Sequence, residues 1–397
     1  MCLITLLPPK LYNGFVFNAA FKWGWIMTPL QQLIKYGQSY WMDNLTRDLI
    51  RSGELAARIT SQGLRGVTSN PAIFHKAITS SADYDEQIAE LAREGRSVDE
   101  IYEQLVVTDV QDACDVLRPV YDASDGVDGL VSLEVAPTLA YDTAATIEEA
   151  RRLWNAVDRP NACIKIPGTP PGLAAIEQTL FEGVNINITL LFSIADYEAV
   201  AQTYITALER RVAEGKSIRH MASVASFFLS RIDVLVDQLL SHRMRPEGTA
   251  GYDPRPATLA GRVANANAKL AYQSFKTIFS GPRWQALADQ GAHVQRPLWA
   301  STSTKNPDYS DVMYVNPLIG PDTVNTMPEE TSSAFADHGK LVENAVEADW
   351  EEARQVLKEL EAVGIELDKV TWQLQHEGVQ KFIEPFNTLL QALAQKC

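Results

Sequence analysis

The chain contains the stretch Ala162-Cys163-Ile164-Lys165-Ile166-Pro167-Gly168-Thr169, in which one lysine interrupts an apolar run that ends at a Pro-Gly pair. A short apolar run with this boundary predicts a buried strand that leads into a loop. Lys165 should therefore point inward, and burial of a lysine favours its neutral amine over the ammonium. A neutral amine is a nucleophile that forms Schiff bases with carbonyl substrates. The structural alternative is a lysine that pairs with a carboxylate or extends to water.

On both sides of this stretch, short apolar segments alternate with helix-period segments such as Ile147–Val157 and Asp196–Glu214. Continuous apolar runs are typical of parallel strands covered by helices. The eight predicted strands are Ser39–Leu45, Gly66–Pro71, Gly129–Val135, Ala162–Pro167, Asn185–Phe192, Met221–Phe228, Arg296–Ser303 and Val312–Ile319. Eight strand–helix units predict an α/β fold, a single (β/α)₈ TIM barrel with its active site at the carboxyl ends of the strands. A doubly wound sheet is the alternative, weakened by the absence of GxGxxG and GxxxxGK[ST] motifs.

The rest of the chain is predicted to extend this barrel rather than to add a domain. The Pro/Gly-rich segment Arg245–Pro256 predicts an exposed loop before a helix that carries Ala266, Leu270 and Phe275. After the last strand the chain is mainly helical and charged from Glu329 onward. The last helix is predicted to bury Phe382, Phe386, Leu389 and Leu393. We therefore assign residues 27–397 to one barrel domain with additional helices after the last strand.

Residues 1–26 form an atypical N-terminal extension. They are apolar and aromatic, contain Lys10 and Lys22 without an acid, and are interrupted at Pro8-Pro9. They lack the features of a signal peptide and are too short to span a membrane as a helix. Translation from Met27 would explain the segment, which is excluded from the fold prediction.

Composition limits the functional class. The net charge of −15 argues against a nucleic-acid partner, because phosphate backbones are bound by basic faces. A small phosphorylated substrate needs only a local basic pocket, and no membrane partner is predicted. The four cysteines are scattered without a CxxC pair, which is typical of a reduced, cytoplasmic protein. The six histidines lie far apart, so the sequence predicts neither a metal site nor a histidine triad.

Polar side chains concentrate at the ends of the predicted strands. The set comprises Asp43, Thr68, Asn70, Glu134, Lys165, Asn187, Thr189, Ser226, Ser301 and Ser303, with Arg231 and Lys305 just beyond their strands. Residues two apart on a strand share a face, so Asn187 and Thr189 both point inward if either does. A carboxylate beside a neutral lysine is what imine chemistry needs, since carbinolamine dehydration and retro-aldol cleavage both require proton transfer. Arg231 and Lys305, with Ser303, would form an anion site at the mouth.

Each of these residues has a structural alternative. Asp43 would cap a turn, Glu134 would form a buried ion pair with Lys165, and Arg231 would pair with an acid on a helix surface. Lys305-Asn306-Pro307 resembles a solvated loop, and Thr68-Ser69-Asn70-Pro71 is a favourable turn sequence. Two further functions stay open at this point. One is a barrel glycosidase with Asp43 and Glu134 as its carboxylate pair, and the other is an inactive sugar-phosphate binder.

Five motifs in a fixed order carry a resemblance to a known family. They are Gly66-Val67-Thr68-Ser69-Asn70-Pro71, Ser132-Leu133-Glu134-Val135, Ile164-Lys165-Ile166-Pro167-Gly168-Thr169, Asn185-Ile186-Asn187-Ile188-Thr189-Leu190-Leu191-Phe192-Ser193 and Ser226-Phe227-Phe228-Leu229-Ser230-Arg231. Together they resemble the transaldolase family, class I aldolase-type barrels of the pentose phosphate pathway, over about Pro29 to Ala394. The Arg245–Pro256 loop and the helices after residue 329 resemble the longer bacterial branch.

The resemblance implies catalytic roles for four residues. Lys165 matches the Schiff-base lysine. Asp43 matches the aspartate that takes up the hydroxyl proton during carbon–carbon cleavage. Glu134, with Thr189 and a water, matches the group that shuttles protons during imine formation and hydrolysis.

The resemblance also implies the substrate-binding residues. These are Asn70 and Asn187 for the hydroxyls of the dihydroxyacetone unit, Thr68 and Ser226 nearby, Phe228 in the pocket wall, and Arg231 and Ser303 for the phosphate. Lys305 falls where many members have arginine, and this departure keeps the charge but loses the bidentate fork.

The implied reaction is the transfer of a dihydroxyacetone unit from sedoheptulose 7-phosphate to glyceraldehyde 3-phosphate, which yields erythrose 4-phosphate and fructose 6-phosphate. It requires no cofactor or metal, because the protonated imine is the electron sink. The partners are sugar phosphates, and a homo-oligomer is compatible with the resemblance. The alternative is a fructose-6-phosphate aldolase-type enzyme that releases free dihydroxyacetone through the same imine.

Overall fold

The computed structural model describes residues 27–245 and 247–397, so the N-terminal extension lies outside the described residues. Eight parallel strands form a closed barrel in sequence order, with the first strand paired to the last. The strands are β1 Gln38–Asp43, β2 Leu64–Thr68, β3 Leu130–Glu134, β4 Ala162–Pro167, β5 Ile186–Leu191, β6 Ser223–Phe228, β7 Arg296–Ala300 and β8 Thr323–Met327. The predicted (β/α)₈ barrel is confirmed.

Helices separate the strands and continue after the barrel closes. In the described residues they are α1 Pro29–Gln32, α2 Arg47–Arg51, α3 Glu54–Ser61, α4 Pro71–Ser80, α5 Asp85–Arg93, α6 Val98–Ala123, α7 Thr143–Val157, α8 Pro170–Glu182, α9 Ile194–Ala213, α10 Ser230–Ser241, α11 Arg255–Leu259, α12 Val263–Ile278, α13 Pro282–Ala288, α14 Glu329–His338, α15 Trp350–Ala362 and α16 Leu367–Lys396. Short 3₁₀ helices lie at Leu33–Tyr36, Pro137–Leu139 and Asn316–Leu318. The helices predicted at Ile147–Val157 and Asp196–Glu214 correspond to α7 and α9.

Polar side chains set the starts of several helices and the ends of the strands before them. Asp142 caps α7, and Ser193 forms a capping box with Asp196 at the start of α9. Asn70 caps α4, so β2 ends before the predicted Pro71. β7 ends at Ala300 rather than at the predicted Ser303, because Ser301 has a left-handed φ of 55°.

The predicted eighth strand is wrong. Val312–Ile319 forms turns and a 3₁₀ helix, and its Pro317 has no N–H to donate to a sheet. The run is apolar because Val315, Leu318 and Ile319 are buried in the connection from β7 to β8. The true strand, Thr323–Met327, pairs with β1 and β7. The prediction missed it because Thr and Asn interrupt its apolar character.

The regions outside the barrel follow the predictions closely. Residues 247–252 are exposed, but the predicted loop ends in α11, where Pro256 is buried. The helix that carries Ala266, Leu270 and Phe275 is α12. α16 buries Phe382, Phe386, Leu389 and Leu393 as predicted. It packs against α4, α6 and α10, which places it across the end of the barrel where the strands terminate.

Candidate active site

Lys165 lies on β4 inside the barrel and faces two acceptors. Its Nζ donates to Glu134 Oε2 at 3.0 Å and to the Ser69 carbonyl at 3.4 Å. The side chains of Lys165 and Glu134 are 6% and 3% exposed, so the pair is almost fully desolvated. The register of the sheet produces this contact, because Glu134 on β3 is the neighbour of Lys165 on β4.

Glu134 and Thr189 each retain an unused polar atom. Among the described residues, neither Glu134 Oε1 nor Thr189 Oγ1 has a hydrogen-bond partner, although both atoms are buried. Burial raises the pKa of Glu134, and the charge of Lys165 acts in the opposite direction. A buried polar atom without a partner is costly, so this part of the site is built to bind a polar group.

Asp43 ends β1 on the other side of the cavity. Its Oδ1 accepts from Thr68 Oγ1 at 2.8 Å, and Thr68 is also 2.6 Å from Thr326 Oγ1. Desolvation raises the pKa of Asp43, while the Lys165 charge lowers it. Lys165 is therefore placed between two carboxyl groups that differ in their partners: Glu134 contacts the amine and Asp43 contacts a hydroxyl.

These residues surround a cavity of about 90 Å³ at the carboxyl ends of the strands. Its lining is Asp43, Thr68, Asn70, Lys165, Thr189, Ser226, Phe228, Arg231, Ala300, Ser301, Thr326 and Phe382. The structure thus brings most of the sequence-derived candidates together around Lys165. The exceptions are Glu134, which lies behind the amine, and Asn187, Ser303 and Lys305, which do not line this cavity.

The two asparagines occupy different depths. Asn70 Oδ1 accepts from the backbone N–H groups of Ala72 and Ile73 at the start of α4, at 3.0 and 3.1 Å. This cap fixes the amide at the cavity wall. Asn187 is fully buried, donates to Ser132 Oγ at 3.0 Å, and accepts from Ser226 Oγ at 2.7 Å. Asn187 therefore holds Ser226 in place from behind.

Arg231 lines both the cavity and the adjoining groove. It occupies the first turn of α10, and its Cζ lies 5.2 Å from the Phe228 ring centroid and 5.7 Å from that of Phe382. Its Nη1 is buried and has no hydrogen-bond partner in the part of the chain that the structure describes. Burial lowers the pKa of Arg231, but a guanidinium stays charged at neutral pH.

Ser303 and Lys305 follow β7 beside this arginine. The Lys305 Nζ donates to Ser303 Oγ. Arg231, Ser301 and Lys305 line a groove of about 380 Å³ that adjoins the cavity. The groove and the cavity share Arg231 and Ser301 in their walls.

Comparisons with known proteins identify the family of this chain. A family model described as Transaldolase/Fructose-6-phosphate aldolase matches residues 40–393. The chain belongs to this family. A Nostoc sp. protein named Transaldolase 2 is 51% identical over 370 residues, which cover 92% of this chain and 97% of that relative. Relatives named Transaldolase from Trichodesmium erythraeum and Frankia alni are 50% and 48% identical, and each alignment covers at least 92% of this chain and 97% of the relative.

Four lining residues of this transaldolase-family barrel had no role in the sequence prediction, namely Ala300, Ser301, Thr326 and Phe382. Thr326 was missed because it lies on the misplaced eighth strand. Ser301 was noted at a strand end without a function. Phe382 was predicted as buried, but a helical apolar face does not reveal which surface it covers, so its place beside Lys165 depends on tertiary packing.

The described residues contain neither a candidate metal site nor a candidate membrane-spanning helix. Within residues 27–245 and 247–397, no group of His, Cys, Asp or Glu side chains could hold a metal ion. In the same ranges, no helix is long and apolar enough to cross a membrane.

Proposed function

We propose that this chain is a transaldolase that moves a dihydroxyacetone unit from sedoheptulose 7-phosphate to glyceraldehyde 3-phosphate through an imine on Lys165. The products are erythrose 4-phosphate and fructose 6-phosphate. The observation that carries the proposal is the desolvated contact of Lys165 with Glu134, at 3.0 Å, beside a cavity that Asp43 also faces. Relatives named Transaldolase along nearly the whole chain support transfer over other imine chemistry.

The first step forms the imine. Lys165 gives a proton to Glu134 and attacks the carbonyl carbon of the ketose as a neutral amine. Glu134 then protonates the carbinolamine hydroxyl, which leaves as water while the C–N bond becomes a double bond. The unpartnered Glu134 Oε1 and Thr189 Oγ1 provide buried positions that would bind this water.

The second step breaks the carbon–carbon bond. Asp43 removes the proton from the hydroxyl on the far carbon of the bond that breaks, and this carbon becomes the aldehyde carbon. The bonding electrons pass into the protonated imine, which becomes an enamine, and the shortened aldehyde leaves. The acceptor aldehyde then reacts in reverse order, with Asp43 returning its proton to the new hydroxyl.

Different parts of the same cavity would bind different parts of the substrate. Asn70 and Ser226 would hold the hydroxyls of the three-carbon unit, with Asn187 positioning Ser226. Phe228 would form the apolar wall. At the mouth, Arg231 would bind the phosphate through its unpartnered Nη1, assisted by Ser303 and Lys305.

The test is chemical trapping of the imine. Borohydride added with fructose 6-phosphate should attach a reduced three-carbon adduct to Lys165, located by peptide mass. Lys165→Ala should abolish the labelling, whereas Lys369→Ala, which removes an exposed lysine, should leave it unchanged. Labelling that survives Lys165→Ala contradicts the proposal.

A fructose-6-phosphate aldolase-type reaction is the second candidate, since the matching family description includes it. It predicts that donor cleavage proceeds at the same rate without an acceptor aldehyde. A transaldolase should instead release little free dihydroxyacetone until the acceptor is supplied. A cytoplasmic location and a homo-oligomeric state stay predictions.

A further inference from the structure

The helix α16 is attached directly to the strands that carry the reactive groups. Gln375 Nε2 donates to the carbonyls of Gly168, just after β4, and Leu190, on β5, each at 3.2 Å. Leu190 has a left-handed φ of 61°, and the β5–β6 register shifts at this point. A leucine seldom adopts this conformation. α16 is therefore attached to β5 at the residue where the strand departs from regular geometry.

One turn later, Gly378 lets the helix approach the barrel closely. A Cβ at this position would lie 3.0 Å from Leu190 Cδ2 and 3.7 Å from Arg231 Nη1. Phe382 follows four residues after Gly378 and therefore lies on the same face of the helix. The contacts at Gln375 and Gly378 thus determine where the Phe382 ring is placed.

The Phe382 ring covers the reactive amine. Its centroid is 5.4 Å from Lys165 Nζ and 5.7 Å from Arg231 Cζ, and the residue is 8% exposed. Both distances fall within the range in which a cation is attracted to an aromatic face. A protonated imine would form at the same nitrogen. The ring would stabilise its positive charge and would block the access of other molecules to it from one side.

We infer that Phe382 is a specificity-determining residue that keeps the bound three-carbon unit on Lys165 until an acceptor aldehyde arrives. The inference rests on the proposed transaldolase function and concerns the competition between two outcomes of the enamine. In transfer, the enamine carbon bonds to the aldehyde carbon. In release, that carbon takes a proton instead, water adds to the imine carbon, and the C–N bond breaks to give dihydroxyacetone and the free amine.

Release needs water at the imine carbon, whereas transfer does not need it until after the new bond has formed. An apolar ring next to the nitrogen hinders that water without contributing a proton donor. The unpartnered atoms Glu134 Oε1 and Thr189 Oγ1 would instead bind the water that imine formation releases and product hydrolysis consumes. Phe382 should therefore slow the premature release of the unit more than it affects transfer.

The experiment compares Phe382→Leu and Phe382→Ala with the control Phe386→Leu. Phe386 lies on the same helix and is equally buried, but it packs edge-to-face on Tyr102 and does not line the cavity. Each protein is loaded with fructose 6-phosphate, freed of released aldehyde, and treated with borohydride after increasing delays. The decay of the Lys165 adduct and the ratio of free dihydroxyacetone to transfer product are measured, with Tm as a record of stability.

Phe382→Ala should increase the release-to-transfer ratio by about 2- to 30-fold, the range that a cation–π contact of this kind is worth. Phe382→Leu should give a smaller increase, and Phe386→Leu should lower Tm without changing the ratio. An equal ratio in the Phe382 and Phe386 variants overturns the inference. Failure of the wild-type protein to form any adduct would instead overturn the proposed function.

Discussion

Asp43 and Glu134 lie near one cation but are held by different partners, and this difference separates their proposed roles. Glu134 is engaged with the Lys165 amine, so it is placed to exchange protons at nitrogen. Asp43 accepts from the Thr68 hydroxyl, and it lines the cavity where substrate hydroxyls would lie. Burial raises the pKa of both carboxyl groups, which suits groups that accept and return protons.

Asp43→Asn should separate cleavage from imine formation. The amide keeps the shape of the side chain and a hydrogen-bonding oxygen for Thr68, but it cannot act as a base. We expect the transfer rate to fall by at least ~10², while borohydride still traps donor on Lys165. Steady-state rates and adduct yield measure the two effects, and near-wild-type turnover would refute the role of Asp43.

At the scale of single residues, the sequence does not predict how deep in the barrel a side chain lies. The period of two along β5 correctly turns Asn187 inward. It does not say that Ser226 would lie between Asn187 and the cavity. Lys165 and Asp43 were predictable because strand ends in a barrel converge, whereas Phe382 reaches the site from a helix that is distant in sequence.

At the scale of elements, two aspartates one turn apart anchor α10 to the neighbouring segments. Asp233 accepts from Tyr314 Oη at 2.9 Å and from the Ala264 N–H at 2.8 Å. Asp237 makes the equivalent bonds to Tyr309 Oη and the Gly261 N–H. These four contacts tie α10, whose first turn carries Arg231, to the start of α12 and to the β7–β8 connection.

Asp233 should make stability depend on pH. Burial raises the pKa of Asp233 to about 7, above the value of about 3.9 in an unfolded chain. The folded state therefore binds this proton more tightly, and its contribution to stability is lost as pH rises through 7. Between pH 5 and pH 8 the loss amounts to about 2–3 kcal/mol.

Asp233→Asn tests this dependence because the amide preserves the shape and cannot titrate. The free energy of unfolding, measured by denaturant titration, should fall less between pH 5 and pH 8 in the variant than in the wild type. Asp237→Asn removes a neighbouring charge that helps to raise the pKa of Asp233, so this variant should keep only part of the wild-type dependence. Identical pH profiles for the wild type and Asp233→Asn would exclude Asp233 as the source.

The elements themselves were largely predictable, and the exception has a physical cause. Strands covered on both faces read as apolar runs, which is why β4 and β5 were located from sequence. β8 instead carries Thr323 and Asn325, whose side chains donate to the Gly320 and Tyr314 carbonyls of the β7–β8 connection, and Thr326, which contacts Thr68 on β2. A prediction based on apolar runs therefore assigns the eighth strand to Val312–Ile319, which is a buried connection, and misses β8.

At the scale of the whole molecule, a buried ion pair closes the end of the barrel opposite the active site. Arg296 on β7 donates to Asp128 Oδ1 at 3.0 Å and to Ser39 Oγ on β1 at 2.9 Å. Ser39 in turn donates to Asp128. The contacts join β1, β7 and the segment before β3 across the barrel interior, so they hold the closed sheet together.

Asp128→Asn should destabilise the protein without affecting the chemistry. It leaves the buried Arg296 charge uncompensated, at a cost of about 3–5 kcal/mol in the free energy of unfolding. Asp125→Asn is the matched control, because Asp125 pairs with Arg219 on the surface, where a loss below about 1 kcal/mol is expected. Denaturant unfolding measures both, and an unchanged extent of borohydride adduct on Lys165 should accompany the Asp128 loss.

The place of α16 in the chain gives synthesis on the ribosome a particular order. A nascent chain that has emerged from the ribosome as far as Met327 already contains every strand of the barrel. It therefore also contains Lys165, Asp43 and Glu134. Gln375 and Phe382 emerge only after the intervening helices have been translated. The growing polypeptide therefore carries the Lys165 amine before it carries the ring that covers it, and we expect the amine to be more open to small carbonyl compounds during this interval.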